Sequence, residues 1–170
     1  MQFSAATLYK SGKSSFFRKI FLIYTLLICF ALFSCATLAT QEELVEREAV
    51  SLVSALNEGN SRTVERKIMH PFLLDTEIIL QEQDIKTFWQ DYIETGISLG
   101  NPEIISVKKV ESADYKEFGE SMDIKIFFKK YLPPVCYLVK IKSANRLYTF
   151  LISPGTDVLP AFYGYKGASL

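Results

Sequence analysis

Histidine, tryptophan and cysteine are scarce in this chain, at one, one and three among 170 residues. That scarcity removes most metal-ligand sets and leaves His70 as the only imidazole that can exchange a proton near neutral pH. His70 stands directly before Pro71, at the expected end of a helix, where an imidazole serves more often as a cap or a partly exposed structural group than as a base. No glycine-rich phosphate loop, nucleophile elbow, paired-cysteine metal site or calcium loop occurs. Gly96 and Gly100 stand four apart but lack the further glycines and the Lys-Ser/Thr ending of a phosphate loop. Asp84 precedes an apolar-periodic run and is read as its N-cap. Asp75 and Glu77 share one face of a short strand but have no evident basic or apolar partner. No catalytic, cofactor-binding or metal-ligating residue is therefore assigned, which weighs against an enzyme without closing that class.

The leader lacks acidic residues altogether. Lys10, Lys13, Arg18 and Lys19 precede an uncharged run from Ile20 to Phe33. A spanning helix wants about 20 apolar residues, and this run passes at once into Ser34, Cys35, Ala36 and Thr37, so its length suits a signal h-region. Leu32-Phe33-Ser34-Cys35 at the end of that run resembles the lipobox of bacterial lipoproteins, with an aliphatic residue three before the cysteine and a small one directly before it. The resemblance implies cleavage before Cys35, a diacylglycerol on its thiol and an N-acyl chain on the new amino group. It also implies a location in the bacterial cell envelope, on a membrane. Each buried methylene contributes about 0.8 kcal/mol, so two or three chains anchor firmly where one does so marginally. The alternatives are a plain signal peptide cut near Ala36 or Ala39, or an uncleaved anchor over Ile20 to Thr40. Cys29 leaves with the leader, and an acylated Cys35 leaves Cys136 without a partner, so no disulfide framework is available. The expected organisation is a signal peptide over 1–34, a lipidated N-terminus and short tether over 35–41, and one domain over 42–170.

Charge changes with the leader. The full chain balances 19 basic against 19 acidic residues. Removal of the four leader cations leaves 15 against 19, about −4 net, which argues against a nucleic-acid partner. In the mature part, Thr40 with Glu43 fits a capping box ahead of Val45, Ala49, Leu52, Val53 and Leu56, whose spacing predicts an amphipathic helix stopped near Gly59. A second short helix is predicted from Arg62 to Met69, a short strand over Thr76 to Leu80, and a third helix carrying Ile85, Phe88, Trp89, Tyr92 and Ile93 and ending at Gly96.

From Pro102 the pattern turns to period two. Ile105 and Val107 alternate with polar residues, and Met122, Ile124, Ile126 and Phe128 alternate with Asp123, Lys125, Phe127 and Lys129, so both stretches read as strands. Val135, Tyr137, Val139 and Ile141 read as the core face of a further strand, followed by Leu147 to Ile152. The last three strands are expected to form an antiparallel meander. The whole describes an α+β domain with N-terminal helices packed on one face of a curved antiparallel sheet. Its order of helices and strands resembles the nuclear transport factor 2-like cone over Glu42 to about Ile152, with a cystatin-like or other small α+β domain as the alternative.

That resemblance implies a mouth or cavity, for which Phe88, Trp89, Tyr92, Phe128 and Tyr137 are lining candidates; the same spacing suits an ordinary core. A second candidate site is a partner surface, because Lys125, Phe127 and Lys129 would emerge together opposite the core face, beside Lys140 and Lys142. Such a patch would meet an envelope protein, an anionic polymer or lipid. The segment with Val158, Leu159, Phe162, Tyr163 and Tyr165 is too apolar for a free tail and is expected to pack on its own domain. The function these features point to is a membrane-tethered, noncatalytic binding or envelope-organising module. The alternatives are a small-molecule carrier and an isomerase- or dehydratase-like enzyme with an apolar pocket.

Overall fold

The computed structural model describes residues 39–96, 98–143, 145–155 and 160–169. The leader and Cys35, with every expectation attached to them, lie outside the described residues, as do Val158 and Leu159. The first helix, α1 (Gln41–Asn57), starts as its letters direct: the Thr40 hydroxyl accepts from the Glu43 amide while the Glu43 carboxylate accepts from the Thr40 amide. Val45, Ala49, Leu52, Val53 and Leu56 are all buried. Gly59 follows at φ +69°, a conformation that stops the helix without the Cβ clash an L side chain would meet.

Helix α2 (Ser61–Glu65) is capped by Asn60 and is shorter than expected, because strand β1 (Ile68–Leu74) begins where the second turn would have continued. Long-range pairing decides this boundary: the Phe162 amide donates to the Lys67 carbonyl, and Ile68 pairs with Phe162. Strand β2 (Glu77–Ile79) returns antiparallel to β1. Helix α3 (Glu82–Glu94) starts two residues before Asp84, which lies in its first turn and is not the N-cap; Gln81 holds that position without a side-chain bond. Strand β3 (Glu103–Lys109) carries an irregularity between Ile104 and Ser106. This shifts the alternation, so Ile104 and Val107 reach the core while Ile105 is 49% exposed.

The largest departure follows a 3-10 turn over Asp114–Glu117. Residues Met122–Lys130 form a helix, α4, not a strand. Both periods are present in MDIKIFFKK, and the end signals decide between them. Ser121 caps by accepting from the Ile124 amide, Asp123 lies in the first turn, and Lys129 and Lys130 lie in the last, where cations suit the helix dipole. The buried set is then Ile124 and Phe127, with Phe128 and Tyr131 packed beside them, at spacings of three and four. Ile126, expected at the centre of a core face, is 43% exposed, and Phe127, expected outward, is fully buried.

Strands β4 (Tyr137–Ser143) and β5 (Arg146–Ser153) form the expected hairpin. Strand β6 (Ala161–Ser169) places the apolar tail inside the domain as an interior strand, parallel to β1 and antiparallel to β5. The sheet order is β2-β1-β6-β5-β4-β3. The sheet is thus mixed and open, neither closed nor strongly curled, which overturns the expected nuclear transport factor 2-like cone and the all-antiparallel sheet; the class remains α+β. Helices also cover both faces, not one. Alternation along the strands divides the apolar residues: Phe72, Val139, Phe150 and Ile152 join α1, α2 and α3 in an inner core, while Leu73, Leu138 and Leu151 join α4 and Phe118 in an outer one. No helix among the described residues is long and apolar enough to cross a membrane, so the membrane association read from the leader gains no spanning segment from the folded domain.

Candidate binding cleft

On the outer face, three strands each send a lysine to the same short element. Lys108 of β3 meets Asp114 at 2.6 Å, Lys140 of β4 meets Glu117 at 2.8 Å, and Lys166 of β6 donates to the Glu117 carbonyl. Asp114 also accepts from the Glu111 amide at 2.8 Å, so this buried carboxylate both caps the turn and fixes it to the sheet. The hydrogen bond to Asp114 holds the Lys108 ammonium above its usual value. The 3-10 turn is thereby pinned at a set height above the strands. Helix α4 is held beside it by Ile124 and Phe127, and the Val110 amide donates to the Cys136 carbonyl at the base.

Between these fixed parts a half-enclosed cleft of about 470 Å³ remains. Val110, Tyr115, Phe128, Leu132, Pro133 and Pro134 make its walls mainly apolar, and the buried Cys136 with the exposed Lys125, Lys129, Glu111 and Ser112 complete the lining. The Lys125 ammonium stands 5.2 Å from the centre of the Tyr115 ring, within cation–π range. Burial pushes the Cys136 thiol up to about 12, so it stays protonated at neutral pH.

The residues singled out from the sequence are distributed unevenly over this geometry. Lys125, Lys129 and Phe128 come together at the cleft. Phe127, expected as the exposed centre of a partner surface, packs beneath them against Phe128 and Tyr131. Lys140 is engaged with Glu117, and Lys142, exposed on β4, does not line the cleft. Of the lining candidates, Phe88, Trp89, Tyr92 and Tyr137 lie on the opposite sheet face from Phe128. Trp89 is fully buried, with the rings of Phe88, Tyr92 and Tyr165 at 5.0, 5.6 and 5.2 Å, and the Tyr137 hydroxyl donates to the Gln41 side chain. These four build the inner core.

His70 is exposed on β1 and forms no carboxylate ion pair among the described residues. Asp75 and Glu77 do not pair: Asp75 sits in the β1–β2 turn at φ +52° and accepts from the Gly167 amide, while Glu77 is exposed. Among the described residues no group of His, Cys, Asp and Glu could hold a metal ion. Sequence reasoning missed Tyr115, Val110 and the Pro133–Pro134 wall; Ser121 and Asp123 ahead of an apolar run were the signal that would have turned this segment into a helix and exposed the cleft. No family model matches the chain, and no curated protein matches its sequence.

Proposed function

We propose that this chain is a noncatalytic binding module, tethered to a membrane of the bacterial cell envelope by acyl chains on Cys35, and that the cleft beside α4 is its binding site. The observation that carries the reading is a half-enclosed, mainly apolar cleft whose lining includes two exposed lysines. An apolar pocket with a few placed polar groups is the common form of a ligand site. Catalysis has less support, because the nearest thiol is held protonated and His70 lies on a different element, away from the lining. The tether rests on the leader and the lipobox-like Leu32-Phe33-Ser34-Cys35.

Two substitutions test the two halves separately. Cys35→Ser is expected to abolish acylation and cleavage, read by intact mass; a mature N-terminus other than Cys35, without lipid, rules out the tether. Ser112→Trp places an indole at the cleft. Small molecules and proteins that copurify with the full chain from its native membranes are expected to change with Ser112→Trp while circular dichroism stays the same. An identical profile removes the cleft as the binding site.

A further inference from the structure

Five lysines on or above the outer face divide into two groups. Lys108, Lys140 and Lys166 are consumed in holding the 3-10 turn. Lys125 and Lys129 stand one helical turn apart on α4, and among the described residues neither has a carboxylate within ion-pair distance. Both line the same apolar cleft. Lysine stems lie readily along apolar walls while their ammonium groups keep to the wet edge, so a body of hydrocarbon inside and a charge at the mouth are accommodated together.

We infer that the cleft takes a single-chain amphiphile bearing one negative charge at its end, of which a fatty acid carboxylate is the simplest. This deepens the binding reading above and rests on it. The chain would lie against Tyr115, Phe128, Leu132 and Pro134, and the anionic end would meet the ammonium groups of Lys125 and Lys129. The balance of charge selects a monoanion. Glu111 also lines the cleft and is exposed like the two lysines, so two cations and one carboxylate give the lining a net charge of about +1, which one negative charge on the occupant balances. A cationic amphiphile would meet two like charges, and an uncharged one would forgo the attraction. The volume of about 470 Å³ is within the range of small-ligand sites. Cys136, protonated and buried, forms no bond to the occupant; the association is noncovalent.

The test uses the full chain, purified in amphipol, and a photoactivatable dodecanoic acid carrying a diazirine, with the labelled residues mapped by mass spectrometry. Labelling is expected within 110–136 and is expected to be competed by dodecanoate better than by dodecanol, and least by dodecylamine. Lauroyl lysophosphatidylglycerol, also a monoanion, distinguishes a membrane-derived lysolipid from a free fatty acid by which competes at lower concentration. The double variant Lys125→Gln/Lys129→Gln should weaken dodecanoate about tenfold and erase its advantage over dodecanol. Ser112→Trp should remove labelling by any chain. Equal competition by acid, alcohol and amine, or a double variant that binds dodecanoate like the parent, overturns the monoanion. Absence of labelling in 110–136, with copurifying molecules still altered by Ser112→Trp, overturns the amphiphile but not the binding reading; absence of both effects overturns both.

Discussion

Replacing Phe127 and its neighbour Ile126 separately by alanine asks the chain directly which period governs residues 122–130. On a strand the even-numbered residue would be the buried one. On helix α4 the order reverses: Phe127 is fully buried with Phe128 and Tyr131 at ring separations of 6.3 and 6.0 Å, whereas Ile126 is 43% exposed. Truncating a buried phenylalanine costs about 3–5 kcal/mol, counting both lost transfer energy and the cavity left behind. That is a large part of the roughly 5–15 kcal/mol that holds a domain together. Ile126→Ala removes a half-wetted side chain and gains a better helix former, so its cost stays under about 1 kcal/mol. Urea unfolding followed by far-ultraviolet circular dichroism reads the difference. The Phe127→Ala midpoint should fall far below the parent at unchanged slope, with a melting temperature lower by roughly 10–20 °C, while Ile126→Ala stays near the parent. Equal losses, or a larger loss for Ile126→Ala, would refute the helical account.

Gly164 lies where β6 passes β1, and an added Cβ would stand 3.0 Å from both the Leu73 carbonyl oxygen and Leu151 Cδ1. Gly164→Ala should therefore destabilise by about 1–3 kcal/mol, whereas Gly167→Ala, whose nearest neighbour is 3.5 Å away, should be nearly silent in the same urea assay. Alkaline pH gives another check. Burial raises the Cys136 thiol to about 12 and moves the Tyr165 hydroxyl upward as well. Both groups hold their protons more tightly folded than unfolded, so their contribution is complete below the unfolded pKa values and shrinks as pH climbs from about 9 towards 12. The urea midpoint should be steady near neutrality and then decline, less steeply in Cys136→Ala; a midpoint that rises over that range contradicts the burial of these groups.

What could be read from the letters was local. The α1 signals, Thr40, Glu43 and the buried spacing from Val45 to Leu56, all act within one or two turns, and the structure uses each of them. The α4 segment satisfied two periods at once, and only the weaker cues at its ends separated them. Lys125 and Lys129 stand together under either reading, because residues four apart share a face on a strand and on a helix alike. Phe127, two residues from each, does not share their face on a helix, so the same misreading that spared the lysines inverted the phenylalanine. The irregularity at Ile104–Ser106 and the pairing of β6 with β1 depend on residues far away in sequence, which no window on the local pattern contains. The cleft was illegible for the same reason, since its walls come from the link after β3, the 3-10 turn, α4 and the Pro133–Pro134 connection.

The interior position of β6 also sets an order of events during synthesis. Before Ala161 and the residues after it emerge, β2-β1 and β5-β4-β3 are two half-sheets with no hydrogen-bonded strand between them, and the inner core lacks Phe162 and Tyr165. Neither half can complete its burial alone. The hairpins and α1 are built from neighbouring residues, whereas the joined sheet needs a strand that follows the other described strands in the chain. For a chain exported as proposed, the two half-sheets would stay unjoined until β6 had cleared the translocation channel.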